Sequence, residues 1–496
     1  MSSRFGSFAL LVSIVWMLAG CANYKQETAY MRSSWEAGNV AVAADIAQSQ
    51  ADNEPSSADY VIWRLEEASA KRYLDEFAGS NLALTQANAR IQEYDEGPEV
   101  SILNETKANF TNQSFLPYQG YHYDRIMMNA YFALNFWQMG QIENARVALN
   151  RVYVRQQEAV RENAEAISAA NQAAADESRL AARDPKGDRY YNVDRARNDS
   201  QFSSQITSNY GYLDEVRNYG DYVNPFAVFL DGLIHLTNNL EFNDLERSRK
   251  SFQRVVAMAP FNEYLKDDLD LVEARLRGEP MPSMTYVIFE TGMAPSRDQI
   301  SINIPLFIVT REVPYVGVAF PQLRFNGNYA PALIVESEGY STETALVCDM
   351  DAVIATEFDQ RLPLVIIKTL ISAGTKAAAQ YGLQEAAKDN KYAYWGVVIA
   401  GSIYQASMNQ ADLRTWVTLP KQFQYCRIPT PVSGQLNLKA VGSSQPVTID
   451  LPGAGVNLVY VKSNSRYSPL IIQQNSLVPL QPVNAPRSKA TNTAQL

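Results

Sequence analysis

Tyr131-Phe-Ala-Leu-Asn-Phe-Trp-Gln-Met-Gly140, followed directly by Gln141 to Val152, reads as two helices joined at a glycine. Small Ala133 and bulky Phe136 fall on one face of the first helix. Gly140 provides the turn, because glycine enters the left-handed backbone region that ends helices. Ala145, Leu149 and Val152 then recur at helical spacing. Working outward, a second unit opens at Asn224-Pro-Phe-Ala-Val-Phe-Leu-Asp-Gly232 and continues through Ser248, Phe252 and Val255 to Pro260, which stops it. Weaker pairs span Ala29 to Gln50, turning at Gly38, and Asp59 to Glu93, turning near Gly79. One such pair is a generic helical hairpin. Four in series, from Tyr24 to about Arg277, predict an irregular helical array.

The unit around Ala133, Phe136 and Gly140, and that around Phe252 and Pro260, resemble tetratricopeptide (TPR) repeats. That resemblance implies a concave face that binds protein partners. Between the two good units, Gln156 to Arg183 is rich in Ala, Glu, Gln and Arg, which predicts a solvated helical extension or a partly disordered arm. A tyrosine-rich connection follows, with Tyr190, Tyr191, Tyr210, Tyr212, Tyr219 and Tyr222. Tyr118, Tyr121 and Tyr123 join that set as candidate partner-binding residues. Tyrosines that pin long loops onto the helices are the structural alternative.

The pattern changes at the linker Gly278-Glu-Pro-Met-Pro282. Strands are expected at Thr285–Phe289, Gln299–Ile304, Phe307–Val309, Tyr315–Phe320, Ala332–Val335 and Ala345–Cys348. Two inserted helices, Leu364 to about Lys388 and Trp395–Met408, interrupt them. Phe423–Ile428, Gln435–Ala440, Gln445–Leu451 and Asn457–Val461 return to β-type sequence. The expected class is therefore α+β: a TPR-like array over residues 21–277, a linker at 278–284, a β-rich domain over 285–478 and a polar, disordered tail at 479–496.

Residues 1–20 have the layout of a secretory leader: Arg4, then an apolar run from Phe8 to Leu18 too short to span a bilayer. Leu18-Ala19-Gly20-Cys21 resembles a bacterial lipobox, which implies acylation of Cys21 and loss of the leader. Several acyl chains hold a protein on a membrane where one does not. Ala22 in place of Asp implies the outer membrane, with the body facing the periplasm. No later stretch reads as a membrane span, so the lipid is the expected membrane contact. A net charge of −10 argues against nucleic acid. Cys348 and Cys426 could pair in that oxidising compartment, and two buried free thiols are the alternative.

Catalytic patterns are sparse. Ala345-Leu-Val-Cys-Asp349-Met-Asp351-Ala-Val353 resembles the nucleophile strand of haloacid-dehalogenase-type phosphatases, but the acidic pair that family needs downstream is missing. His122 and His235 are the only histidines, too few for zinc ligation or a triad. Gly374-Thr-Lys376 lacks the upstream glycine of a phosphate loop, and Gly453-Ala-Gly455 reads as a turn. No cofactor, metal or catalytic residue is expected.

Several phrases resemble an uncharacterised family of proteobacterial outer-membrane lipoproteins with an N-terminal TPR-like region. They are Tyr118-Gln-Gly-Tyr-His-Tyr-Asp-Arg125, the hairpin at Gly140, Asn224 to Gly232, Phe289-Glu-Thr-Gly-Met-Ala-Pro295 and Ala411-Asp-Leu-Arg-Thr-Trp-Val-Thr-Leu-Pro420. The resemblance implies the two-part architecture and brings no catalytic residues. The reading is a lipid-anchored periplasmic scaffold that binds proteins through its helical groove, in cell-wall synthesis or secretion. The alternative is a periplasmic hydrolase built on carboxylates.

Overall fold

A computed structural model describes residues 24–97, 116–184, 190–216, 219–220, 222–238, 242–305, 315–387, 389, 410–443, 445–453 and 455–478. Cys21 with its leader, the 479–496 tail, the Phe307–Val309 strand and the Trp395–Met408 helix lie outside these residues.

The N-terminal half is helical. In chain order the helices are α1 (Tyr24–Glu27), α2 (Ala29–Glu36), α3 (Val40–Asn53), α4 (Tyr60–Tyr73), α5 (Phe77–Glu96), α6 (His122–Gln138) and α7 (Ile142–Ala182). Then come α8 (Val193–Arg197), α9 (Ser200–Tyr210), α10 (Leu213–Val216), α11 (Pro225–Thr237), α12 (Phe242–Met258) and α13 (Glu263–Leu276). Gly38 and Gly140 make the tight turns with φ of +83° and +71°, where a side chain would be strained. Asn224 caps α11 by accepting from the Ala227 N–H, and Pro225 occupies the first turn, where its missing N–H costs nothing. Two boundaries differ from expectation. The α4–α5 turn falls at residues 74–76, which places Gly79 inside α5. Gln156 to Arg183 is helical, as the first of its two readings expects, and continues α7; its stripe of Ala159, Ala170, Ala173 and Ala174 is buried and not solvated, and α7 packs on α8 and α14 (Met350–Ala387). Alanines allow close approach without any large apolar residue to announce it.

The strands are β1 (Met284–Thr291), β2 (Ser296–Pro305), β3 (Tyr315–Arg324), β4 (Leu333–Ser337), β5 (Tyr340–Glu343) and β6 (Ala345–Asp349). After α14 follow β7 (Gln422–Pro429), β8 (Gln435–Ala440), β9 (Val447–Asp450), β10 (Val456–Ser463) and β11 (Ile471–Val478). The main sheet has the order β11-β10-β1-β7-β6; β1 runs parallel to β10 and antiparallel to β7. A second sheet has the order β5-β4-β8-β9, and β2 and β3 form a separate hairpin. Alternation along β1 divides the core. Tyr286 and Ile288 join the large core with the helices, whereas Val287 and Phe289 join a smaller core with Leu333, Val335, Leu436 and Leu438 of the second sheet.

The helices wrap the other face of the main sheet. The first helix of each hairpin, and the final α13, reaches it. Trp35 of α2 lies beneath Lys462 of β10, and Tyr73 of α4 donates to Glu290 of β1. Tyr131 of α6 meets Trp416 edge-on at 5.6 Å, and Phe226 of α11 stacks on Phe423 of β7 at 3.7 Å. From α13, Asp268 accepts from Tyr286 and Tyr425. Helices α3, α5, α7 and α12 form the outer layer on top of these. The chain is α+β as expected, but its helical and β-rich halves share one apolar core.

Candidate functional site

Tyr118, Tyr121 and Tyr123 do not face solvent. Their exposures are 3%, 9% and 2%, so the partner-binding assignment is corrected: they are seam residues between the halves. Tyr118 donates to Asp124 at 2.5 Å, and the Tyr121 N–H donates to the same carboxylate at 2.8 Å, which closes a capping box at the start of α6. The Tyr123 hydroxyl lies 3.0 Å from that of Thr415. Tyr121 and Tyr123 stack at 5.5 Å, and the buried Arg297 guanidinium sits 3.8 Å over the Tyr121 ring while donating to its hydroxyl. Burial pushes the Tyr121 phenol up to about 12, against the pull of Arg297.

The distinctive phrases of the sequence meet at this seam. Glu357 of α14 accepts from the backbone N–H groups of His122 and Tyr123 at 2.9 and 2.8 Å, capping α6 from the β-rich half. Arg414 donates to Asp412, to Asp59 and to the Leu116 carbonyl. Glu66 of α4 accepts from Val417 N, Thr418 N and Thr418 Oγ1 at 2.8, 3.2 and 2.5 Å, and so shapes the loop that carries Trp416. Burial outweighs those donors and pushes the carboxyls of Glu66 and Asp124 up to about 7.

Two more buried clusters join helix to strand. Glu290 accepts from Tyr73 and Tyr460 and lies 3.2 Å from Lys462 Nζ, with all four side chains buried. Arg72 stacks 4.4 Å over the Tyr460 ring. Burial lowers the Lys462 amine, which Glu290 opposes. Asp268, held at 2.6 Å by Arg427 and bonded to two tyrosines, is pushed by burial up to about 6.

Asp349 and Asp351 sit at the β6–α14 junction. Asp351 pairs with Lys421, and the Asp349 N–H donates to the Tyr219 hydroxyl at 3.0 Å. Burial raises both carboxyls, Asp351 to about 6. His122 and His235 are lowered by burial, and His235 bonds its own helix at the Asp231 carbonyl. Among the described residues, no group of three or more His, Cys, Asp or Glu side chains is placed to hold a metal.

The tyrosine-rich connection pins the β2–β3 hairpin. Tyr191 donates to the Pro305 carbonyl, and Tyr210 donates to Pro321 at 2.8 Å. Cys348 and Cys426 are free and buried. Their pairing is corrected, because they sit in different cores on opposite faces of the main sheet. Burial raises both thiols, which keeps them protonated. An open groove of about 650 Å³ runs along α9, lined by Arg197, Asn198, Ser200, Ser203, Ser204, Thr207 and Ser208. Its lining holds no carboxylate, histidine or thiol.

No protein-family model, curated protein or solved structure matches the chain.

The seam was hidden in the sequence because a tyrosine suits an interface and a loop anchor equally. The one available signal was the pairing of Tyr121 with Asp124 at the first turn of a helix, a capping-box spacing that ties the segment to its own backbone.

Proposed function

We propose that the chain is a lipid-anchored scaffold of the cell envelope, tethered to the outer membrane through Cys21 on the periplasmic side, and that it works by binding proteins and not by catalysis. In this reading the hairpins are TPR-like units whose inner faces hold the chain's own sheet, so partners meet the outer layer. The observation that carries the reading is how the buried carboxylates are used. Among the described residues they are Glu66, Glu67, Asp124, Asp268, Glu290, Asp351 and Glu357, and each accepts from a donor of the same chain. All but Glu67, whose donors Arg64 and Lys71 lie on its own helix, accept from a donor outside their own helix or strand.

The outer helix α7 is where a partner would find apolar purchase. Val147, Tyr153, Val154 and Val160 are 47%, 51%, 48% and 47% exposed along it. Tyrosine is among the residues that dominate protein interfaces, and the valines widen the apolar strip around Tyr153. The test is affinity purification from detergent-solubilised membranes with a Tyr153→Ala/Val154→Asp variant. The variant should melt within about 1 kcal/mol of the parent, because both side chains are half exposed, and should lose partners that the parent retains. Identical partner recovery at equal stability would remove α7 from the proposal.

A further inference from the structure

The anchor and the folded body are separated by almost no chain. Cys21 and Tyr24 are three Cα–Cα steps apart, a reach of at most about 11 Å. Tyr24 is already tied down: its hydroxyl donates to the Thr415 carbonyl at 3.1 Å, and its ring lies 6.2 Å from that of Trp63. Helical hydrogen bonds run on from it, with Thr28 N donating to the Tyr24 carbonyl and Arg32 N to the Thr28 carbonyl, both at 2.9 Å. Met31 and Trp35, one and two turns further along, have no exposed surface. A stiff, embedded segment therefore begins within about 11 Å of the Cα of the residue that carries the lipid.

We propose that the body rests directly on the headgroup layer of the bilayer, with the outer side of the Tyr24–Glu36 segment and the adjoining 54–58 loop against the lipid. This rests on the lipid-anchor reading of Cys21. The occupant follows from chain length: acyl chains inserted in a bilayer leave no room for the body to swing away. Tyr30, 68% exposed on the segment's outer side, is the amphipathic ring that membrane interfaces favour. The loop's end lies beside the segment: Arg414, next to the Thr415 that holds Tyr24, donates to the Ala58 carbonyl at 3.3 Å and to Asp59 at 3.0 Å. A fixed attitude to the membrane would give a scaffold a fixed height and orientation for its outer helices.

The test uses the full-length acylated protein in vesicles of phosphatidylethanolamine and phosphatidylglycerol doped with a headgroup-spin-labelled lipid. Glu54→Cys carries a fluorophore in one sample and Val432→Cys in another; the buried Cys348 and Cys426 stay unlabelled. Val432 is 99% exposed in the turn after β7, and the Thr415 segment that holds Tyr24 leads into the other end of that strand. Eight residues of β7 put about 23 Å between the two ends. The Glu54 label should be quenched about threefold or more over the Val432 label. A Gly/Ser insertion of about ten residues after Ala22, which adds a span of about 18 Å, should erase that difference while the protein still floats with the vesicles. Equal quenching of the two labels, or a difference that survives the insertion, would overturn the proposal. Failure of the uninserted protein to float with the vesicles would instead sink the lipid anchor itself, and this inference with it.

Discussion

At the seam, Tyr123 is 2% exposed and spends its hydroxyl on Thr415. Tyr123→Ala should therefore cost about 3–5 kcal/mol, as other buried aromatic truncations do, and Tyr123→Phe about 1 kcal/mol for the single hydrogen bond. Urea denaturation separates these from the near-zero cost of an exposed tyrosine. Glu66 yields a pH prediction. Burial raises its carboxyl from 4.5 to about 7, so the native state keeps a proton that the unfolded chain releases. The resulting stability is fully present below about 4.5 and is lost as pH rises through about 7. Between pH 5 and 8 the parent should lose up to about 3 kcal/mol more than Glu66→Gln, which has no proton to release. Equal slopes for the two proteins would contradict the assignment. The thiols were only half legible: two cysteines in an oxidising compartment suggest a bridge, but sequence spacing does not reveal that Cys348 and Cys426 point to opposite sides of one sheet.

Among the elements, legibility followed periodicity. The hairpin at Gly140 was readable because its apolar spacing is helical and its turn needs a positive φ. No atom lies within 4 Å of a Cβ built there, so Gly140→Val is opposed by backbone strain alone, at about 1–2 kcal/mol. Strands β1, β7 and β10 were readable from dense apolar runs. Strand β5 escaped because it is short and exposed, and β11 because Gln473 to Ser476 interrupts its apolar positions. Helix α14 starts at Met350, not Leu364, and runs through Pro363, a residue that ordinarily marks a helix boundary. In helix α7 the helical propensity was legible but the buried stripe was not, because its alanines pack without large apolar residues beside them. Ala170, 1% exposed, supplies the check: Ala170→Glu should destabilise by about 3 kcal/mol, measured by thermal melting, where a solvated arm would tolerate it within about 0.5 kcal/mol.

Across the whole molecule, the sequence suggested two parts in series, and the structure packs one inside the other. The reason lies in the inner helices. All of α4 except Lys71 is buried, including Arg64, Glu66, Glu67 and Arg72, whose polar tips find partners within α4, on α3, in the Trp416 loop and on the strands. No local pattern announces that a helix packed by its neighbours α3 and α5 will be covered on its remaining face by elements more than 200 residues away. The central claim, that the sheet and its loops fill the face where a partner groove was expected, is tested most directly at Ser69. Its hydroxyl accepts from Trp416 Nε1 at 2.9 Å and is fully buried. The measurement is the rate at which a Ser69→Cys thiol reacts with a soluble maleimide in the native full-length protein. The account predicts reaction only as fast as the protein unfolds globally, with Cys348 and Cys426 equally silent. Reaction at the rate of an exposed thiol such as that of Val432→Cys would mean that the groove stands open, and would contradict it.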